Sequence, residues 1–204
     1  MVTDTLWYLG RGTGVVSLVL LTLVVALGIS ARSGRPVAGL PRFAVAAVHR
    51  NASLLAVLFL GIHVGTLLAD PYAQLRLVDL VVPFAGRYRP LWLGLGTVGL
   101  DLLAALVATS LLRHRLGQRS WRAVHWLAYL CWPVAVLHSW GDATDAGRGW
   151  LRLVLASCVA VVVGCACWRI TEGFGPRGAV EPPRASDHSG RSTVAGRATV
   201  GSGR

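Results

Sequence analysis

Hydrophobic residues are concentrated in five stretches of the chain, and polar residues separate these stretches. A helix needs about 20 largely apolar residues to cross the hydrocarbon core of a bilayer. Residues 12–31 meet this requirement without a single charge and are longer than the apolar core of a signal peptide. The other four stretches comprise residues 45–69, 91–112, 123–140 and 152–169. The pattern predicts an all-α fold, a polytopic membrane bundle of about five transmembrane helices.

The composition supports a membrane protein over a soluble one. Of the 204 residues, 54% are hydrophobic and only 14% are charged. A formal net charge of +11 is also typical of nucleic-acid-binding proteins. Here, however, the arginines lie between the apolar stretches and in the C-terminal segment, where membrane topology explains them better. We therefore expect a membrane partner and no nucleic acid.

The arginines also predict the orientation of the chain, because cytoplasmic loops are enriched in basic residues. The connection after the first stretch contains Arg32, Arg35 and Arg42, and the third connection contains Arg113, Arg115, Arg119 and Arg122. We expect these two connections to be cytoplasmic, with the N-terminus outside and the C-terminus inside. The expected location is the cytoplasmic membrane of a bacterium.

The C-terminal segment differs in composition from the rest of the chain. Residues 171–204 are rich in Gly, Pro, Ser and Arg and show no hydrophobic periodicity. Such a segment buries too little apolar surface to offset the entropy lost on ordering. We expect a transmembrane domain over residues 1–170 and a disordered cytoplasmic tail over residues 171–204.

Two of the apolar stretches each contain a pair of histidines. His49 and His63 are fourteen residues apart, which is nearly four helical turns, so both lie on one helix face. His125 and His138 are thirteen apart, which leaves them about 140° apart in an ideal helix. We expect Pro133, between them, to kink that helix. In the predicted topology, His49 and His125 lie near the cytoplasmic side, and their partners lie roughly 20 Å further out.

Histidines at membrane depth usually face the interior of a bundle and mark ligands or paths for protons and electrons. Neutral imidazole is also a ligand of haem iron. Two histidine pairs that face each other across parallel helices would suit two six-coordinate haems stacked across the bilayer. The alternative is a haem-free transporter, channel or assembly protein in which the histidines pack or conduct protons.

The histidine spacing, together with the segment "TSLLRHRLGQRSWRAVHWLAYLCWPVAVLHSWGDATD" at 109–145, resembles the ferric reductase-like transmembrane domain family. That family includes the membrane halves of ferric reductases and NADPH oxidases, and the haem-bearing membrane partner of periplasmic methionine sulfoxide reductase. The resemblance covers residues from about 7 to 169. It implies that His49 and His125 hold an inner b-type haem and that His63 and His138 hold an outer one. Many relatives have six helices rather than five.

The resemblance implies an electron-transfer function. Electrons would enter near the cytoplasmic haem and leave from the outer haem to ferric iron, oxygen or a partner redox protein. The reductases continue into a cytoplasmic flavin and nicotinamide domain, which this sequence does not contain. We therefore expect a separate flavoprotein or quinol as donor, and an oxidoreductase membrane subunit with no catalytic side chain of its own.

Three further residues are secondary candidates for cofactor binding. Arg50 and Arg122 lie at the cytoplasmic starts of the two histidine helices, where they could pair with haem propionates. Ordinary anchoring at the membrane surface explains them as well. Asp101 lies halfway along the third stretch, where it could orient a ligating histidine or carry a proton. The alternative is a structural hydrogen bond to a neighbouring helix.

Overall fold

The computed structural model describes residues 2–31, 41–71, 73–87, 89–143 and 149–173. The regular elements in these ranges are all helical, which confirms the all-α prediction. They are α1 (Val2–Ala31), α2 (Arg42–Ala69), a short 3-10 helix (Leu77–Leu80), α3 (Pro90–Leu111), α4 (Arg113–His125), α5 (Ala128–Ala143) and α6 (Gly149–Gly173). Helix α6 continues slightly beyond the expected domain boundary, and the rest of the predicted tail lies outside the described residues.

Four of the described helices, α1, α2, α3 and α6, are long and apolar enough to cross a membrane. Helix α5 has 16 residues and therefore extends about 24 Å, less than the roughly 30 Å of a hydrocarbon core. It is nevertheless part of the bundle, because it packs against α1, α3 and α6. The chain is thus a multi-pass membrane protein, whereas its predicted orientation stays a prediction.

The predicted helix over residues 123–140 is divided by a short turn at Trp126 and Leu127. Helix α4 ends at His125, and α5 begins only at Ala128. The amide of Trp126 donates to the Arg122 carbonyl (3.2 Å) and the Ala123 carbonyl (3.3 Å), and that of Leu127 donates to the Val124 carbonyl (2.9 Å), so a tighter, 3-10-like turn joins the two helices. Helix α4 is itself interrupted at Gly117 (φ 74°, ψ 159°), so its last residues lead directly into α5. The four arginines of α4 are exposed, whereas α5 is mostly apolar. Pro133 lies inside α5 and does not interrupt it.

Two antiparallel helix pairs form the framework of the bundle. Helix α1 packs along α2, α3 packs along α5, and α6 lies against α1 and α5. The core is formed by residues of α1, α5 and α6, namely Leu18, Val25, Ile29, Trp132, Leu151, Leu155 and Cys158. Trp132 donates its indole N–H to the Thr22 hydroxyl (3.0 Å), and that hydroxyl donates to the Leu18 carbonyl (2.8 Å). Helix α1 is therefore the central element that joins the two pairs.

Candidate haem-ligating site

The structure brings His63 of α2 and His138 of α5 together. Their ring centroids lie 6.5 Å apart, and the ring planes are inclined by 73°. An imidazole nitrogen lies about 2 Å from a metal ion that it ligates and about 1 Å from its own ring centre, so two axial imidazoles place their centroids roughly 6 Å apart. The spacing of His63 and His138 therefore fits one metal ion between the two rings.

A backbone carbonyl holds each of these two rings. Nδ1 of His63 lies 2.7 Å from the Gly10 carbonyl oxygen, and Nδ1 of His138 lies 2.8 Å from the Trp92 carbonyl oxygen. Because a carbonyl can only accept a hydrogen bond, Nδ1 carries the proton in each case. The lone pair of each neutral ring is then on Nε2. This is the tautomer that metal ligation by Nε2 requires.

A glycine lies directly beneath each of the two rings. A Cβ atom added at Gly14 would come within 2.9 Å of the His63 ring, and one added at Gly96 would come within 2.8 Å of the His138 ring. Each glycine follows its carbonyl residue by four positions, which places both on the same face of the helix. We call such a carbonyl, with the glycine one turn further on, a histidine seat. Helices α1 and α3 each provide one.

His49 occupies a looser version of the same seat. Its ring lies near the Val24 backbone, and a Cβ atom at Gly28 would lie 3.8 Å from the ring. Val24 and Gly28 follow the residues of the first α1 seat by fourteen positions, which equals the spacing of His49 and His63 on α2. Nδ1 of His49 is buried and has no hydrogen-bond partner among the described residues. Helix α1 thus supports both histidines of α2.

His125 has a different kind of support. It is the last residue of α4, and its ring stacks on Trp121 of the same helix, with centroids 5.0 Å apart and planes inclined by 22°. The structure thus pairs the outer histidines ring to ring and places the inner ones, His49 and His125, on different supports. Because the helix breaks after His125, the expected 140° between His125 and His138 on one ideal helix does not apply.

A cavity of about 250 Å³ lies beside the outer histidine pair. Its walls are largely apolar side chains of α1, α2, α3 and α5, and both His63 and His138 line it. The loop between α2 and α3 closes one side through Ala73, Leu75 and Leu80. Apolar walls with two convergent imidazoles suit a flat, mostly apolar macrocycle, so the residues present fit a haem.

Two arginines that the sequence did not single out also line this cavity: Arg11 and Arg89. The Arg11 guanidinium lies over the Trp7 ring, with its Cζ 4.6 Å from the ring centroid. Its Nη2 is buried and has no hydrogen-bond partner within the described part of the chain. Arg11 directly follows Gly10, whose carbonyl holds His63, so Arg11 lies at the depth of His63. This depth depends on how α1 packs on α2, so the sequence alone did not indicate it.

The secondary candidates lie away from the outer pair. Arg50 and Arg122 are exposed, and Arg122 donates from Nε to the Gln118 carbonyl (3.3 Å). Asp101 is exposed on α3 and has no hydrogen-bond or ion-pair partner among the residues that the structure describes. The roles predicted for these three residues stay predictions.

The loop between α2 and α3 is held in place by an ion pair outside the membrane-spanning helices. Arg76 donates from Nη2 to the Asp79 carboxylate (3.0 Å), and the Asp79 side chain is almost fully buried. The Arg76 side chain, through this hydrogen bonding, lowers the pKa of Asp79 below its ordinary value. The Thr97 hydroxyl donates to the Asp79 carbonyl (2.6 Å), which ties the loop to α3. The cavity wall formed by this loop is therefore fixed to the bundle.

A family model described as "Ferric reductase like transmembrane component" matches residues 13–136. The matched region contains His49, His63 and His125 and ends just before His138. No curated protein and no solved structure matches the chain.

Proposed function

Because the chain belongs to the family of the ferric reductase like transmembrane component, we propose that it carries electrons across a membrane through two b-type haems. His63 and His138 would hold the outer haem, and His49 and His125 the inner one. Membrane electron transfer is the role that the family suggests. The donor would be a separate flavoprotein or a quinol, and the acceptor would be ferric iron, oxygen or a partner redox protein.

The pairing of His63 with His138 carries this proposal. A histidine that relays protons uses both ring nitrogens, one to receive a proton and the other to release it. In both outer rings, Nδ1 is held by a backbone carbonyl, so only Nε2 offers a lone pair. This arrangement favours ligation over proton conduction, which is the main haem-free alternative.

The side chains around the outer pair have definable roles in this function. When bound, haem supplies the one-electron chemistry. The two seats fix the tautomer and the position of His63 and His138, as outer partners of ligating histidines generally do. The apolar cavity walls exclude water and lower the local dielectric, which influences the reduction potential. His49 would ligate the inner haem, about 20 Å away from His63 along α2.

The first experiment is to purify the full chain after expression with an ample supply of haem. We expect a dithionite-reduced b-type spectrum with two haems per chain. His63→Ala and His49→Ala should each lose one haem, and the losses should be of spectrally distinct haems. His114→Ala, which changes an exposed histidine of α4, is the control and should keep both. Absence of haem in the unmodified chain would reject electron transfer and favour a haem-free function.

A further inference from the structure

We propose that Arg11 and Arg89 bind the two propionate carboxylates of the outer haem and thereby fix its orientation in the cavity. This inference rests on the proposed function, because it assumes that a haem is held between His63 and His138. It adds the part of the pocket that recognises carboxylates and the direction in which the propionate edge points.

Arg11 lacks an anionic partner at a place where one is needed. Its Nη2 is buried without a hydrogen-bond partner among the described residues. A buried, unpaired guanidinium nitrogen is unfavourable, because it has lost its water and gained nothing in return. The face of the guanidinium is already occupied by the Trp7 ring, at 4.6 Å. The N–H groups point outward in the guanidinium plane, so they remain available for a carboxylate.

Arg89 provides a second positive charge from the other helix pair. It immediately precedes α3 and has left-handed backbone angles, φ 42° and ψ 59°, which are uncommon for a residue with a side chain. Arg89 lines the same cavity as Arg11. No Asp or Glu is found among the described residues that line it. The described lining of the cavity therefore contains two arginines and no acidic residue.

Each of the two arginines lies close in the sequence to the residue whose carbonyl holds one of the two histidines. Arg11 directly follows Gly10, whose carbonyl holds His63, and Arg89 lies three residues before Trp92, whose carbonyl holds His138. Each helix pair thus contributes one histidine and one arginine to the cavity. A haem has one iron with two axial positions and two propionates, so it matches this set. Its propionate edge would then point towards the α2–α3 loop, next to which Arg89 lies.

The test compares haem with its dimethyl ester, in which both carboxylates are blocked. The full chain, prepared without haem, is titrated with each compound, and the ratio of the two affinities measures carboxylate recognition. The unmodified chain should prefer haem over the ester, and Arg11→Gln should reduce this preference by roughly 10- to 100-fold, as expected for hydrogen bonds to a charged group. Arg87→Gln removes an exposed arginine of the same loop that does not line the cavity, so it should keep the preference.

A second variant assigns the effect to the outer site. In a His63→Ala background, which removes one outer ligand, Arg11→Gln should change the preference no further. An unchanged preference in Arg11→Gln alone would overturn the inference, and so would an equal loss in Arg87→Gln. The same unchanged result is expected if Arg11 instead binds a soluble carboxylate, such as a chelated ferric acceptor. If the unmodified chain binds neither compound, the proposed function itself fails.

Discussion

The two histidines of each stretch have nearly the same spacing in the sequence, fourteen and thirteen residues. The outer and inner pairs that they form nevertheless have different surroundings in the structure. His63 and His138 face each other, and each rests on a carbonyl and a glycine of a neighbouring helix. His49 has a looser seat, and His125 stacks on a tryptophan of its own helix. The difference shows that the spacing of the histidines sets their depth, whereas the facing helix determines how firmly each ring is held.

The largest expected effect comes from a methyl group placed under an outer ring. In Gly14→Ala, the new Cβ would lie 2.9 Å from the His63 ring, so the ring must move. Overpacking of this kind costs about 1–3 kcal/mol, and we expect outer-haem occupancy to fall by about 10-fold. Occupancy is measured from the haem-to-protein ratio and the reduced spectrum.

Two matched variants on the same helix make that comparison sharper. Gly28→Ala places its Cβ 3.8 Å from the His49 ring, an ordinary contact, and Gly12→Ala meets nothing within 4 Å. Both should keep both haems. If Gly28→Ala lost the inner haem as completely as Gly14→Ala loses the outer one, the proposed difference between the two seats would be wrong.

The next effect in size concerns the inner pair. Trp121→Ala removes the ring on which His125 stacks, so His125 at the end of α4 loses its described support. We expect lower inner-haem occupancy with normal outer-haem occupancy, whereas Trp121→Phe should restore much of the loss. Redox titration of the two haems, followed by absorbance, separates the sites. Equal loss of both haems would show that Trp121 supports the whole bundle.

A smaller effect is expected on the stability of the whole bundle when the hydrogen bond between Trp132 and Thr22 is removed. It should not distinguish between the two haem sites. Thr22→Val leaves the buried Trp132 indole N–H without its acceptor, which destabilises the fold without displacing a histidine ring. Thermal unfolding in detergent should occur at a lower temperature, with no preference for one haem. Ser157→Ala removes an exposed hydroxyl that bonds only within α6, so it is the control and should leave the midpoint nearly unchanged.

The smallest effect is expected from the loop beside the outer cavity. The pKa of Asp79 is lowered by Arg76, so this carboxylate stabilises the fold above its ordinary pKa of about 3.9. The stabilisation is lost as the pH falls through the lowered value. Limited proteolysis of the loop should therefore increase on acidification in the unmodified chain. In Asp79→Asn, cleavage should already be faster at neutral pH and should vary less with pH; identical profiles would contradict this role.

The helices of the bundle could be predicted well from the sequence, because long apolar stretches are a direct signal of membrane spans. The 3-10-like turn at Trp126 and Leu127 could not, because Pro133 is the stronger local signal and suggested a kink further along. The interruption of α4 at Gly117 could not be predicted either, because an isolated glycine in a polar helix is tolerated as often as it breaks the helix.

For the site, the depth of the four histidines followed from helix periodicity, but the residues opposite them did not. Gly61 and Gly65 flank His63 in the sequence, yet a Cβ at either would meet nothing within 4 Å. The glycines that contact the rings are Gly14 and Gly96, on the facing helices. Arg11 could not be identified as a site residue from the sequence for the same reason. Periodicity defines one face of a helix, whereas the choice of the neighbouring face depends on packing of the whole bundle.

The two seats on α1 also constrain how the lengths of α1 and α2 can change. Because α1 and α2 are antiparallel, Gly14 meets His63 at one end and Gly28 meets His49 at the other, over the same fourteen-residue interval. An insertion between the seats of α1 would rotate one seat away from its ring by about 100° per residue. Only an insertion of equal length between His49 and His63 would restore both contacts. The two helices are thus expected to vary in length together or not at all over this interval.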